Sequence, residues 1–127
     1  MDHSEDLKRL VLALYEASVT GNGAFLNNLV SDDDSVVTIG TAPDEFWMGH
    51  SAILQARTSR AQTSSIVAII PGKIQAFAEG TVGWVVDQPR LRLADGSEID
   101  LRFTAVFHVE QGQWKLVQQH ASVGVPD

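Results

Sequence analysis

The sequence predicts an α+β domain in which three N-terminal helices pack on one face of a curved, mainly antiparallel sheet. Three observations carry this. Apolar residues recur at helical spacing in the segments before residue 64. β-Branched, alternating runs take over after it. The connectors Glu-Gly, Ala-Asp-Gly-Ser and Glu-Gln-Gly-Gln then punctuate those runs as hairpin turns do. Helices followed by a meander segregate onto one side of the sheet.

The first helix rests on Leu7, Leu10, Val11 and Leu14, one apolar stripe at i, i+3, i+4, i+7. Ser4 caps its orphan amides, and Glu5 and Asp6 suit the positive end of its dipole. Gly21 stops it. Asn22 then caps a short second helix carrying Phe25, Leu26, Leu29 and Val30. Residues 35–41 read as a strand, and the turn-rich segment after them carries Phe46, Trp47 and Met48. Ser51 opens a third helix with Ile53, Leu54 and Arg57 on adjacent turns. Four strand regions follow, at about 65–78, 80–93, 98–110 and 113–125, and Pro89 inside the second marks a bulge or an edge.

With 127 residues, 44% of them hydrophobic, the chain is expected to form one domain over 1–127 with its own core. No apolar run approaches the ~18–20 residues that span a bilayer. The polar, acidic N-terminus does not read as a secretory signal, and the absence of Cys fits a reducing compartment, so a cytoplasmic location is expected. Residues 1–50 hold two basic and nine acidic side chains, whereas 51–127 hold seven of each, so the net charge of −7 sits in the N-terminal part. No basic stripe exists to collect phosphates, which argues against nucleic-acid and anionic-membrane partners.

Motifs for common chemistries are missing. Gly21-Asn22-Gly23 lies between helices rather than after a strand, so it is a helix stop and not a nucleotide loop. His3, His50, His108 and His120 are scattered, with no metal-ligand spacing, and neither metal nor cofactor is expected. There is no Cys nucleophile and no G-x-S-x-G elbow.

Three stretches, IGTAPDEFWMGHSAI (39–53), GTVGWVVD (80–87) and LRFTAVFHVEQGQWKLVQQHASVGVPD (101–127), together with the preceding helix pair, resemble the SnoaL-like branch of the nuclear-transport-factor-2-like superfamily. That superfamily includes ketosteroid isomerases, limonene-epoxide hydrolase, scytalone dehydratase and the association domain of calcium/calmodulin-dependent kinase. The resemblance implies a cystatin-like cone: three helices on the concave face of a strongly bent sheet, a pocket between them, and a homodimer through the other sheet face. The fold does not fix the function.

Strand parity sorts the pocket candidates. A three-residue loop at Glu110-Gln111-Gly112, with Gly112 left-handed, makes odd residues face odd ones across the last hairpin; a two-residue Gln-Gly turn would swap the match. The former is expected. It places Arg102, Thr104, His120 and Ser122 on one face, and Phe103, Ala105, Val117 and Gln119 on the other. Alignment of the last strand with the isomerases and the epoxide hydrolase, by resemblance, puts the second set in the pocket. A two-residue turn within Ala94–Ser97 would add Trp84, Val86 and Gln88. Phe107 belongs to the same face, Tyr15 contributes from the first helix, and Phe46, Trp47 and Met48 stand at the rim. Such a cavity suits a small, flat, mostly apolar ligand, although each aromatic could equally fill the core.

A catalyst needs a titratable group aimed at the reacting carbon. By resemblance, the isomerases' base falls at Val37-Thr38-Ile39 and the hydrolase's carboxylate at Gln119, and neither is acidic here. Tyr15 and His120 remain as candidate acid–base groups. The cluster Arg102, Thr104, His120 and Ser122 reads either as a polar group fixing an interface or, if the register differs, as catalytic equipment. Asp87 and Arg90 read as a pocket-mouth pair or a solvated strand edge, and Arg57 and Lys115 as exposed. Three functions follow: a dimeric small-molecule-binding domain; an isomerase-, cyclase- or hydrolase-type enzyme using Tyr15 or His120; or an oligomerisation module.

Overall fold

The computed structural model describes residues 1–126. Helix α1 (Glu5–Thr20) begins where Ser4 Oγ accepts the Leu7 N–H at 3.2 Å and ends at Gly21, whose N–H returns to the Ala17 carbonyl. Its stripe of Leu7, Val11 and Leu14 is buried. Helix α2 (Gly23–Leu29) is capped by Asn22, which accepts from the Phe25 N–H at 3.1 Å. Helix α3 (His50–Thr63) starts one residue earlier than expected, with Gly49 rather than a serine at its N-cap.

Short strands β1 (Asp2–His3), β2 (Val37–Ile39) and β3 (Phe46–Met48) come from the same half of the chain. The Phe46-Trp47-Met48 segment is thus a strand rather than a turn, because it pairs with β2 from Thr38 to Trp47. The strand regions after residue 64 are more broken than their sequence suggests. They form β4 (Ile66–Ile70), β5 (Gln75–Glu79), β6 (Val82–Asp87), β7 (Arg90–Leu93), β8 (Glu98–Asp100), β9 (Arg102–Glu110) and β10 (Gln113–Ser122). Pro89 supplies no N–H to a ladder, so the β6–β7 run leaves one sheet there and joins another. The Leu101 N–H meets the Pro89 carbonyl at 2.9 Å across this corner. A seven-stranded sheet in the order β1-β5-β6-β9-β10-β2-β3 results, parallel only at β2–β10, with a second sheet β4-β7-β8 beside it.

Both expected hairpin geometries are reversed. Glu110 pairs directly with Gln113, so the last hairpin has the two-residue loop Gln111-Gly112. Both loop residues have positive φ (53° and 77°), the requirement of the primed turn that matches strand twist. The Ala94–Ser97 connector instead holds three residues between Leu93 and Ser97, with Leu93 N–H bonded to the Ser97 carbonyl at 2.9 Å. Continued through the corner, that register opposes Val85 to Ala105 and Asp87 to Phe103.

A bulge resolves the last strand. Leu116 opposes Phe107 and Gln118 opposes Val106, leaving Val117 as the extra residue. Beyond it, Gln119 meets Ala105 and His120 meets Thr104. One row therefore crosses six strands as Ala76, Val85, Ala105, Gln119, Thr38 and Trp47. It faces the helices: its first five members are buried and Trp47 packs against the core. The opposite face carries Val86, Thr104 and His120 in a second row.

Candidate functional site

A cavity of about 160 Å³ lies between α1, α3 and the helix-facing rows of both sheets. Leu14, Trp47, Ile66, Ile69, Leu91 and Phe103 give it apolar walls. Its polar lining comes from Tyr15 and Ser18 on α1, Thr38 on β2, Arg57 and Arg60 on α3, Gln119 on β10, and Thr41 and Ser64 outside these elements. A shallower groove of about 290 Å³ between α1 and β4 shares Tyr15, Val19 and Ile69 as a common wall.

Arg57 reaches the cavity because it follows Ile53 by four residues, one helical turn, and Ile53 is fully buried. Its Nη1 donates to Ser18 Oγ at 3.3 Å and its Nη2 to Gln119 Oε1. Its Nε is buried without a partner, as is Thr38 Oγ1. Burial, with repulsion from Arg60 second, pushes the guanidinium down to about 10, so it stays cationic at neutral pH. Arg60 is bound to Glu45 at 2.7 Å, while no carboxylate among the described residues pairs with Arg57.

Tyr15 packs edge-on against Phe103, with ring centroids 5.4 Å apart. Its hydroxyl donates to Asp87 Oδ2 at 2.7 Å. Asp87 is 3% exposed and also accepts from the backbone N–H groups of Gly72 (3.1 Å) and Gln88 (2.8 Å). Burial, then the Asp87 hydrogen bond and charge, raise the Tyr15 phenol far above its ordinary range. Its proton is committed to Asp87, which leaves the oxygen as an acceptor.

The other sequence candidates lie elsewhere. Trp84 and Val86 are on the face away from the helices: Trp84 packs near Phe77, and Val86 is exposed. A two-residue turn within Ala94–Ser97 would turn them inward, and the three-residue loop reverses their parity. Gln88, which that turn would also point inward, is exposed. Phe107 is buried in the core rather than at the cavity, and Val117 is the bulge residue packed beside that core. Phe46 and Met48 are exposed on either side of Trp47. Arg102, Thr104 and His120 are exposed and Ser122 half-buried, none of them lining the cavity; Arg102 reaches the Val123 carbonyl at 3.5 Å. Arg90 is apart from Asp87, paired at the surface with Glu98 at 2.8 Å. Lys115, expected to be exposed, is half-buried, and its Nζ donates to the Asn28 carbonyl.

Sequence reasoning missed Arg57, Thr38 and the buried setting of Asp87. The i, i+4 spacing from Ile53 would have found Arg57. Correct loop geometry would have put Asp87 on the same face as Val85. Among the described residues no three His, Asp or Glu side chains gather as metal ligands.

The model of the SnoaL-like domain family matches residues 7–126. No curated protein matches the sequence. Solved structures of similar fold include an NTF2-like protein of unknown function from Pseudomonas putida KT2440, with a TM-score of 0.84 at 14% identity over 98% of this chain and 92% of that one. An uncharacterised protein with a cystatin-like fold from Caulobacter vibrioides has a TM-score of 0.77 at 17% identity, covering 94% and 88%. A proposed ketosteroid isomerase from Parabacteroides distasonis has a TM-score of 0.75 at 16% identity, covering 96% and 91%. At these identities the likeness is one of fold.

Proposed function

The chain belongs to the SnoaL-like domain family within the NTF2-like superfamily, and from that membership we propose a small-molecule-binding domain whose ligand enters the cavity beneath α1 and α3. The observation that carries this reading is the composition of the lining: aromatic and aliphatic walls, a small set of polar groups and, among the described residues, no carboxylate. A site of this kind binds through its apolar walls and orients through a few polar groups. The volume sets the scale, because an engineered cavity of about 150 Å³ holds one benzene ring. A single-ring or short branched ligand fits; a fused four-ring body exceeds the enclosed space.

An enzyme is the alternative, and the isomerase description of one structural neighbour supports it. The acid–base groups available here weigh against it. The Tyr15 proton is held by Asp87, and His120 is on the far face of the sheet. Binding is therefore the reading adopted.

We also propose that the domain is a cytoplasmic homodimer joined through the sheet face that carries Val82 and Val86, each more than two-fifths exposed. Light scattering after size exclusion tests this: a dimer mass supports it and a monomer mass overturns it. Ligand entry is tested by titrating 2-phenylethanol, a neutral one-ring probe, while following the Trp47 indole N–H by NMR. A saturable shift supports the reading, and no shift with either this alcohol or phenylacetate, a carboxylate of similar size, overturns it.

A further inference from the structure

The buried side-chain atoms without partners are two, Arg57 Nε and Thr38 Oγ1, among the described residues. Both residues line the same cavity. The coincidence is informative, because buried polar atoms are nearly always hydrogen-bonded and an unpaired one costs free energy. Thr38 is 5% exposed, so solvent at the surface does not satisfy it. Register places it directly opposite Gln119, the residue that accepts from Arg57. The two orphaned atoms therefore belong to the two neighbours of one side chain in the cavity lining. The Gln119 oxygen is engaged by Arg57, which leaves its NH₂ group as a further donor.

Charge points the same way. Among the described residues, two arginines and no aspartate or glutamate line the cavity. Glu45 neutralises Arg60, so one cation is left over. In a chain of net charge −7 an inward cation contributes nothing needed for solubility. An unpaired buried charge is unfavourable unless something supplies its counter-charge. The rest of the lining is mainly apolar, with hydroxyls from Tyr15, Ser18, Thr41 and Ser64, and the space holds about one ring.

Resting on the binding function proposed above, we infer that the ligand is a small organic monocarboxylate, its carboxylate received by Arg57, Thr38 and Gln119 and its apolar body by Trp47 and Phe103. A carboxylate matches the count of one free cation and the planar donor geometry of a guanidinium. A dianionic phosphate would leave one charge uncompensated in an apolar cavity.

The test compares phenylacetate with 2-phenylethanol, two probes of similar size that differ in the carboxylate, by calorimetry on the full chain, Arg57→Met and Thr38→Val. Wild-type protein is expected to bind phenylacetate at least about tenfold more tightly than the alcohol. That preference is expected to vanish in Arg57→Met and to shrink several-fold in Thr38→Val, which preserves side-chain shape and keeps the test valid if the arginine variant misfolds. Equal affinities in the wild type, or a preference that survives both substitutions, would overturn the carboxylate assignment and leave the binding cavity standing. Failure of both probes to bind would overturn the two together.

Discussion

Leu116 and Gln119 point to the same side of strand β10 although they are three positions apart. Leu116 opposes Phe107 and Gln119 opposes Ala105, two residues of one β9 face. Regular alternation would give positions 116, 118 and 120 one common face. The extra residue at Val117 shifts the parity, so an amide rather than the His120 imidazole enters the cavity. The chemistry offered to a ligand is thus set by one residue of strand register.

Removing Val117 should then be tolerated. Without it Leu116, Gln118 and Gln119 form an uninterrupted ladder against Phe107, Val106 and Ala105. A deletion inside a strand ordinarily throws every later side chain to the wrong face. Here the expected cost is about 1 kcal/mol, the partly buried valine alone, with Gln119 still inward. Deleting Thr104 instead should prevent folding. Urea melts of the two variants check the contrast.

The one tyrosine of the chain gives a clean titration. Folding raises the Tyr15 pKa, so the neutral phenol's contribution to stability is fully present below the unfolded value of about 10 and is lost as pH rises above it. Absorbance at 295 nm should show no phenolate through pH 10.5 in the native protein, followed by a single step that coincides with alkaline unfolding. A gradual ionisation centred near pH 10 in folded protein would contradict this.

Asp87→Ala should destabilise the domain by about 2–6 kcal/mol, since it strands the Tyr15 hydroxyl and the Gly72 amide at about 1–3 kcal/mol each. Asp87→Asn keeps an oxygen acceptor for the backbone amide and should cost less. Denaturant midpoints distinguish the two.

Gly83→Ala probes the seam between α1 and the sheet. A Cβ at this position would lie 2.3 Å from Leu7 Cδ1, 3.1 Å from the Phe77 carbonyl oxygen and 3.3 Å from Trp114. Leu7 is fully buried and has nowhere to retreat. Overpacking of about 1–3 kcal/mol is expected, read as a lower melting temperature.

Arg57→Met should leave the stability of the ligand-free domain within about 1 kcal/mol of wild type, because the relief of a buried cation without a carboxylate partner is offset by the stranded Gln119 Oε1. Folding lowers the Arg57 pKa to about 10, so the charged guanidinium detracts from stability at every pH below that. A variant as stable as wild type that has lost its carboxylate preference is the signature of a residue kept for binding. A variant destabilised by several kcal/mol would identify Arg57 as structural.

Much of the fold was legible in local pattern. Ser4 and Asn22 cap the helices the sequence assigns to them, and Leu7, Val11 and Leu14 form the expected buried stripe. Helix caps and stripes are written within a few residues, so they can be read there. The resemblance in 39–53, 80–87 and 101–127 led to the superfamily. The cavity lining was harder because it depends on register, which a strand does not encode by itself. Trp84 and Val86 would face inward only with a turn length that the Ala94–Ser97 loop does not have. Gln119 and His120 fall on their expected faces by a different route, a two-residue turn followed by a bulge. Arg57 was passed over because a charged residue on a helix usually faces solvent.

The most direct measurement is the ¹⁵N-edited NMR signal of the Arg57 Nε–H during titration with phenylacetate. The account predicts a saturable downfield shift, absent with 2-phenylethanol, as the orphaned donor gains a carboxylate acceptor. An Arg57 Nε–H that stays fixed while phenylacetate binds would contradict it.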